Sequence, residues 1–215
     1  MRIVDAEKIY SPYYFMDYMK ESELYNAFSR NMFMKVINDL KKGFIKKASI
    51  NVSFEDISDE ITRNMLYNYI DQKTGEKLIV EILESESIND FELVKDFIFN
   101  MKKRGVKIAI DDFGSGYSNF VVVLDLSPDY IKIDASLIQN INNSKYQDIV
   151  KMIINFSHRY GIKVIAEYVD SKEVFEKLLK LGVDEFQGYY FCEPEPLEKI
   201  VKKDKMSSKK GDNED

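Results

Sequence analysis

The sequence predicts an α/β fold, a parallel (β/α) barrel of the TIM type, from two observations. Short apolar runs of strand character alternate with segments of helical spacing, the pattern of parallel strands joined by crossover helices. Six successive runs each end in a charged, amide or metal-capable side chain, and parallel strands bring all such ends to one face. The alternation alone fits a doubly wound sheet as well as a barrel. The polar strand ends favour the barrel, which builds its active site there.

In chain order, residues 12–41 read as one or two helices ending near Gly43. The strands are expected at 48–52, 77–82, 106–110, 130–133, 163–166 and 184–186. Between the second and third, Leu93, Phe97 and Met101 share one helical face. Ile149, Ile153 and Phe156 share a face of a later helix. Ser171 is placed to cap a helix running to Leu181, which stops at Gly182. Residues 201–215, mostly charged with Met206 the one apolar side chain from Lys202 onward, read as a disordered tail to a barrel domain of 1–200.

Composition narrows the class of function. With 215 residues the chain has length for one domain with a real core. A net charge of −6, with no basic run before the tail, argues against nucleic-acid polymers as partners. A phosphorylated ligand would be small and held through metals. The single cysteine, Cys192, rules out a disulfide within the chain and suits a reducing, cytoplasmic setting. No apolar run is long enough to span a bilayer.

The segment from Val106 to Asn119 carries the sharpest chemistry. An apolar strand stops at two adjacent carboxylates, Asp111 and Asp112, followed by a glycine-broken polar loop. Neighbouring anions repel and each loses hydration near a sheet end, and a bound cation is the usual remedy. A plain strand followed by an Asp-Gly turn is the bland alternative. A kinase-type Asp-Phe-Gly lacks the Gly-rich loop and His-Arg-Asp segment that should precede it.

Asn51, Glu81, Asp111 with Asp112, Lys132, Glu167 and Gln187 stand at or just past the ends of different strands. Oxygen donors without thiolate or imidazole select Mg or Mn. Asn51, Glu81, Asp111 and Glu167 could hold one ion, and Asp112 could tie in a second. Lys132 then suits a cation that orients an attacking water, or alternatively a Schiff-base lysine. His158, the one histidine, is explained by a surface position near a helix C-terminus. Cys192 reads as a packed side chain. The Tyr and Phe residues lie at core spacing and indicate no stacking platform.

These residues together resemble the EAL domain family, bacterial phosphodiesterases specific for cyclic di-GMP. The matching segments are Ser49-Ile-Asn-Val-Ser53, Val80-Glu-Ile-Leu-Glu-Ser85 and Ile110-Asp-Asp-Phe-Gly-Ser-Gly-Tyr-Ser118. Asp129-Tyr-Ile-Lys-Ile-Asp134, Val164-Ile-Ala-Glu167 and Phe186-Gln-Gly-Tyr-Tyr-Phe191 follow in the family's order and spacing, and Ser11-Pro12 with Phe15 matches its first helix. The resemblance runs from Met1 to Leu197. It implies a modified eight-stranded barrel that opens one phosphodiester bond of cyclic di-GMP to give the linear dinucleotide.

By the same resemblance, Asn51, Glu81, Asp111 and Glu167 are metal ligands and Asp112 serves a second metal. Lys132 contacts the attacking water, Glu167 shares in catalysis, and Arg2 and Gln187 contact the substrate or support the cluster. Glu84 anchors the loop at 113–119, which in this family is tied to metal binding and to formation of a homodimer. Asp170 stands where a second glutamate is usual, and Leu83 where a threonine is common. Arg2 is the best match for the arginine that follows the Glu-Ala-Leu signature. The signature glutamate is therefore expected just before Met1, with the first strand and most of the second, on the order of forty residues of a roughly 240-residue barrel. A degenerate domain that binds cyclic di-GMP or a partner without turnover is the alternative.

Overall fold

The computed structural model describes residues 3–5, 8–10, 14–86, 90–116, 119–197 and 199–200. Arg2, Pro12 and the tail at 201–215 lie outside the described residues. The chain opens with an antiparallel pair, β1 (Ile3–Asp5) and β2 (Lys8–Tyr10), with Ile3 opposite Tyr10. Strands this short carry no readable alternation, and the sequence reading missed them. The expected N-terminal helical region resolves into α1 (Met16–Lys20) and α2 (Tyr25–Lys41). Helix α2 buries Tyr25, Ser29, Phe33, Ile37 and Leu40 along one stripe, and the chain leaves it through Gly43 at φ +72°.

The frame is then laid down in alternating units. Strand β3 (Ala48–Asn51) leads into α3 (Phe54–Ser58), α4 (Glu60–Tyr69) and α5 (Gln72–Gly75), followed by β4 (Leu78–Leu83) and α6 (Phe91–Lys102). Next come β5 (Lys107–Phe113), α7 (Phe120–Leu126), β6 (Tyr130–Ile133), α8 (Ala135–Gln139) and α9 (Ser144–Arg159). Strand β7 (Lys163–Ala166), α10 (Lys172–Leu181) and β8 (Glu185–Phe186) complete it. Short polar side chains start these helices. Ser53 and Asp56 form a reciprocal capping box, and Ser171 accepts from the Val174 N–H as expected from the sequence. Gly182 ends α10 at φ +96°.

Strands β3 to β8 form one parallel sheet in strictly sequential order. A doubly wound sheet reverses its order at a switch point, so sequential order decides for the barrel pattern, here a six-stranded half-barrel with its helices. Alternation along the strands divides the residues into two sets. Leu78, Val80 and Ile82, with Ile108, Ile110, Ile131, Ile133, Val164 and Ala166, are fully buried in the main apolar core. The alternate positions, Asn51, Glu81, Asp111 and Lys132, take the opposite face, with Glu167 next in phase after β7. Phe97 and Met101 of α6 are fully buried in the core, and Phe97→Ala is expected to cost about 3–5 kcal/mol.

Helix α9 turns differently from its expected face. Val150, Ile153, Ile154 and Ser157 are its buried residues, while Ile149 is exposed and Phe156 half-buried. Three- and four-residue spacings fit two neighbouring stripes, and packing against the sheet chose between them. Among the described residues, no helix is long and apolar enough to cross a membrane.

Candidate active site

Lys132 stands at the centre of the strand ends. Its ammonium lies 2.9 Å from Glu81 Oε2, 2.9 Å from Asp111 Oδ1 and 2.7 Å from Glu167 Oε1. These side chains come from β4, β5, β6 and the turn after β7, brought together by parallel register. Burial by itself would lower the Lys132 pKa, but the three carboxylates override it and hold the ammonium above the ordinary lysine value. A Schiff-base lysine must supply a neutral amine, so this environment opposes that alternative.

Asp112 reaches the same group through an irregularity that the sequence reading did not foresee. The strand was expected to stop at Ile110, yet β5 continues to Phe113. Opposite β6, the pairing passes from Ile110↔Ile131 to Phe113↔Ile133, so β5 spends one more residue than its neighbour and bulges. Asp112 takes φ +54° within that bulge, and its N–H donates to Asp111 Oδ1 at 3.0 Å. Adjacent side chains on a regular strand point to opposite faces. Here carboxylate oxygens of Asp111, Asp112 and Glu167 all lie within 4.8 Å of one another.

Four acids share one lysine, which leaves negative charge in surplus. Burial, then repulsion from Asp111, raises the Asp112 carboxyl above its usual range. Burial raises that of Glu167 despite the nearby Lys132. Close, oxygen-only, partly desolvated and mutually repelling donors fit a hard divalent cation. Asn51 pairs in register with Glu81 at the end of β3, where its side chain is exposed. Gln187 follows β8, its N–H donating to Ala166 O at 2.9 Å.

Glu84 accepts from the Gly114 N–H at 3.3 Å and the Asn119 N–H at 3.0 Å, bracketing the loop after β5. Asp134, close to Lys132 in sequence, has a local task. It caps α8 through the Ser136 N–H. His158 Nε2 lies 2.9 Å from Asp184 Oδ2 at the exposed end of α9, near the start of β7 and away from the acids. Cys192 is exposed, contrary to the packed position expected, because the chain after β8 carries it outward.

Two clefts adjoin the acids. One of about 580 Å³ runs from Asn51, Glu81, Asp111 and Asp112 toward apolar side chains of α2. The other, about 390 Å³, is lined by Glu167, Gln187, Asp170, Tyr168 and Tyr189. The sequence reading assigned aromatic residues to the core and passed over these tyrosines, which are 53% and 65% exposed. Their places, directly after Glu167 and two residues after Gln187, were the available signal.

A family model described as EAL domain matches residues 1–194. Cyclic di-GMP phosphodiesterase PdeA of Borreliella burgdorferi is 32% identical over 164 residues, covering 73% of this chain and 24% of that protein. The chain thus spans about a quarter of the length of that curated relative. The crystal structure of an EAL domain protein from Listeria monocytogenes EGD-e aligns with TM-score 0.79 and 32% identity, over 95% of this chain and 83% of that one. The EAL enzyme Bd1971, solved with cAMP and cyclic-di-GMP bound, aligns with TM-score 0.86 over 94% of this chain and 58% of that one. Its identity is 24%, and that likeness is one of fold.

Proposed function

The chain belongs to the EAL domain family, and from that premise we propose that it is a phosphodiesterase that opens one phosphodiester bond of cyclic di-GMP to give the linear dinucleotide. The observation that carries this reading is the convergence of Glu81, Asp111 and Glu167 on the Lys132 ammonium, with Asp112 carried onto the same face by the bulge. Mg or Mn held by Asn51, Glu81, Asp111 and Glu167, with Asp112 toward a second ion, would supply charge neutralisation at a phosphoryl oxygen and a more acidic water.

The chain's own residues do the remainder. Lys132, kept charged by its neighbours, faces the attacking water and steadies the negative charge that grows on it. Glu167 Oε1 fixes the direction of the ammonium through their 2.7 Å contact. Glu84 holds the two ends of the loop beside Asp112 in place. Gln187 and Arg2 are assigned to the substrate.

The test is incubation of the chain with cyclic di-GMP and Mg or Mn, followed by chromatography of the nucleotides. Linear dinucleotide is the expected product. The shorter reach of Asp170, where a second glutamate is usual in the family, favours a second reading, a receptor that binds without turnover. Binding with no product would establish the receptor, and neither binding nor product would overturn both.

A further inference from the structure

The turns that lead into β3, β4 and β5 lie side by side, because those strands start in register. Ala48 pairs with Leu78, and Ile79 pairs with Lys107. In a parallel sheet these starts form the face opposite the strand ends that carry the acids. Segments 39–47, 69–77 and 99–106 hold nine lysines and arginines against three acids, in a chain of net charge −6. The cations are dispersed along the sequence, and strand register gathers them. The segments are also tied together. Lys41 lies 3.7 Å from Asp71, Arg104 Nε donates to Tyr67 O at 2.7 Å, and a Cβ on Gly75 would run into Arg104 O.

Lys102 is taken up by Asp129, and Arg104 by the carbonyls of Tyr67 and Asn100. Lys42, Lys47, Lys73, Lys77 and Lys103 have no carboxylate within ion-pair reach among the described residues, and all but the half-buried Lys77 are exposed. Each segment also shows one aromatic ring to solvent: Phe44 is 53% exposed, Tyr69 47% and Phe99 56%. The Lys42 ammonium stands 6.0 Å from the Phe44 ring and that of Lys103 4.1 Å from the Phe99 ring. A lone exposed apolar side chain needs no account, but three among lysines on one face do. We propose that this face docks on an anionic phospholipid bilayer. Lysines draw the face to the charged headgroups, and the rings enter the interfacial layer between them. Nucleic acid suits the face less well, because its arginine fork is already engaged by backbone carbonyls. Docking this way leaves the acids around Lys132 turned toward water.

The experiment is co-sedimentation of the full chain with phosphatidylcholine vesicles, with and without about 30% phosphatidylserine. Binding is expected only with phosphatidylserine, and should fall at least tenfold between about 0.1 M and about 1 M salt. Changing Lys42→Glu, Lys47→Glu and Lys103→Glu together should weaken it at least tenfold with the melting temperature unchanged, since all three are exposed. The same charge change at Lys145, Lys151 and Lys172, exposed on α9 and α10, should stay within threefold of the wild type. Equal loss in both triple variants shows attraction by overall charge and overturns the proposal. So does binding unchanged in both, as the lysines of 201–215 would give. The chain has no tryptophan, so Phe44→Trp and Phe99→Trp each supply a single reporter. Both should shift to the blue on phosphatidylserine vesicles and be quenched by brominated lipid. Emission unmoved in both overturns docking through this face. A duplex oligonucleotide that displaces the chain from vesicles at equal phosphate concentration overturns the membrane in favour of nucleic acid.

Discussion

Glu84 accepts the Asn119 N–H at 3.0 Å across a sequence separation of 35, and the same carboxylate accepts from Gly114. One side chain at the end of β4 thus closes both ends of the loop that follows the paired aspartates. Hydrogen bonds to charged groups contribute about 1.5–3 kcal/mol each. Glu84→Ala is expected to speed amide exchange at Gly114 and Asn119 at least tenfold, with smaller changes in the core of β5. Unchanged protection at both amides would show that the loop is held by something else.

Lys132→Ala removes the ammonium shared by three carboxylates. Stripping one partner from a buried ion cluster costs about 3–5 kcal/mol. The variant should therefore melt lower than the wild type in EDTA and recover more of that loss when Mg or Mn is added. Hydrolysis should disappear while nucleotide binding stays measurable. A rate within about threefold of the wild type, under 1 kcal/mol of barrier, would contradict the role given to Lys132.

At Asp112, stability and affinity should move in opposite directions. Asp112→Gly relaxes a non-glycine residue at φ +54° and removes one of two adjacent anions, so the melting temperature in EDTA should rise. Mn binding, followed by calorimetry, should weaken by an order of magnitude or more. A variant that loses stability and keeps its Mn affinity would place the carboxylate in a structural role.

The pH response can be read away from the acid cluster, at Asp129. Burial works against its charge, but the Lys107 ammonium, the Ile108 N–H and Lys102 outweigh burial and hold the carboxyl below its usual range. A depressed folded pKa gives stabilisation that is complete above the unfolded value of about 3.9 and lost as pH falls through the lower folded value. The difference in unfolding free energy between wild type and Asp129→Asn should be largest near neutrality and close on acidification below about pH 4. A gap constant from pH 7 to pH 2 would refute the assignment.

The convergence of Asn51, Glu81, Asp111, Lys132 and Glu167 was legible in the sequence because parallel strands of period two make it a matter of phase and end position. The approach of Asp112 was not. A bulge is an insertion against a neighbouring strand, and nothing in the one strand records how its neighbour counts. Tyr168 was hidden for a related reason, since its backbone is dictated by Gly188 and Gln187 from another part of the chain. Ile149 was misplaced because spacing names a helix's apolar stripes without naming the one the sheet will meet.

Sequential strand order has a further consequence, for the timing of assembly. Each strand of the sheet pairs with the next along the chain, so its contacts can form in the order of synthesis without waiting for distant partners. The acids and lysine enter one strand at a time, and Glu167 arrives only behind β7. A partly emerged chain can therefore own stable hydrophobic layers while its reactive centre is still incomplete. Such a nascent intermediate is folded ahead of holding its full set of acids, which closes around Lys132 only after Glu167 has emerged.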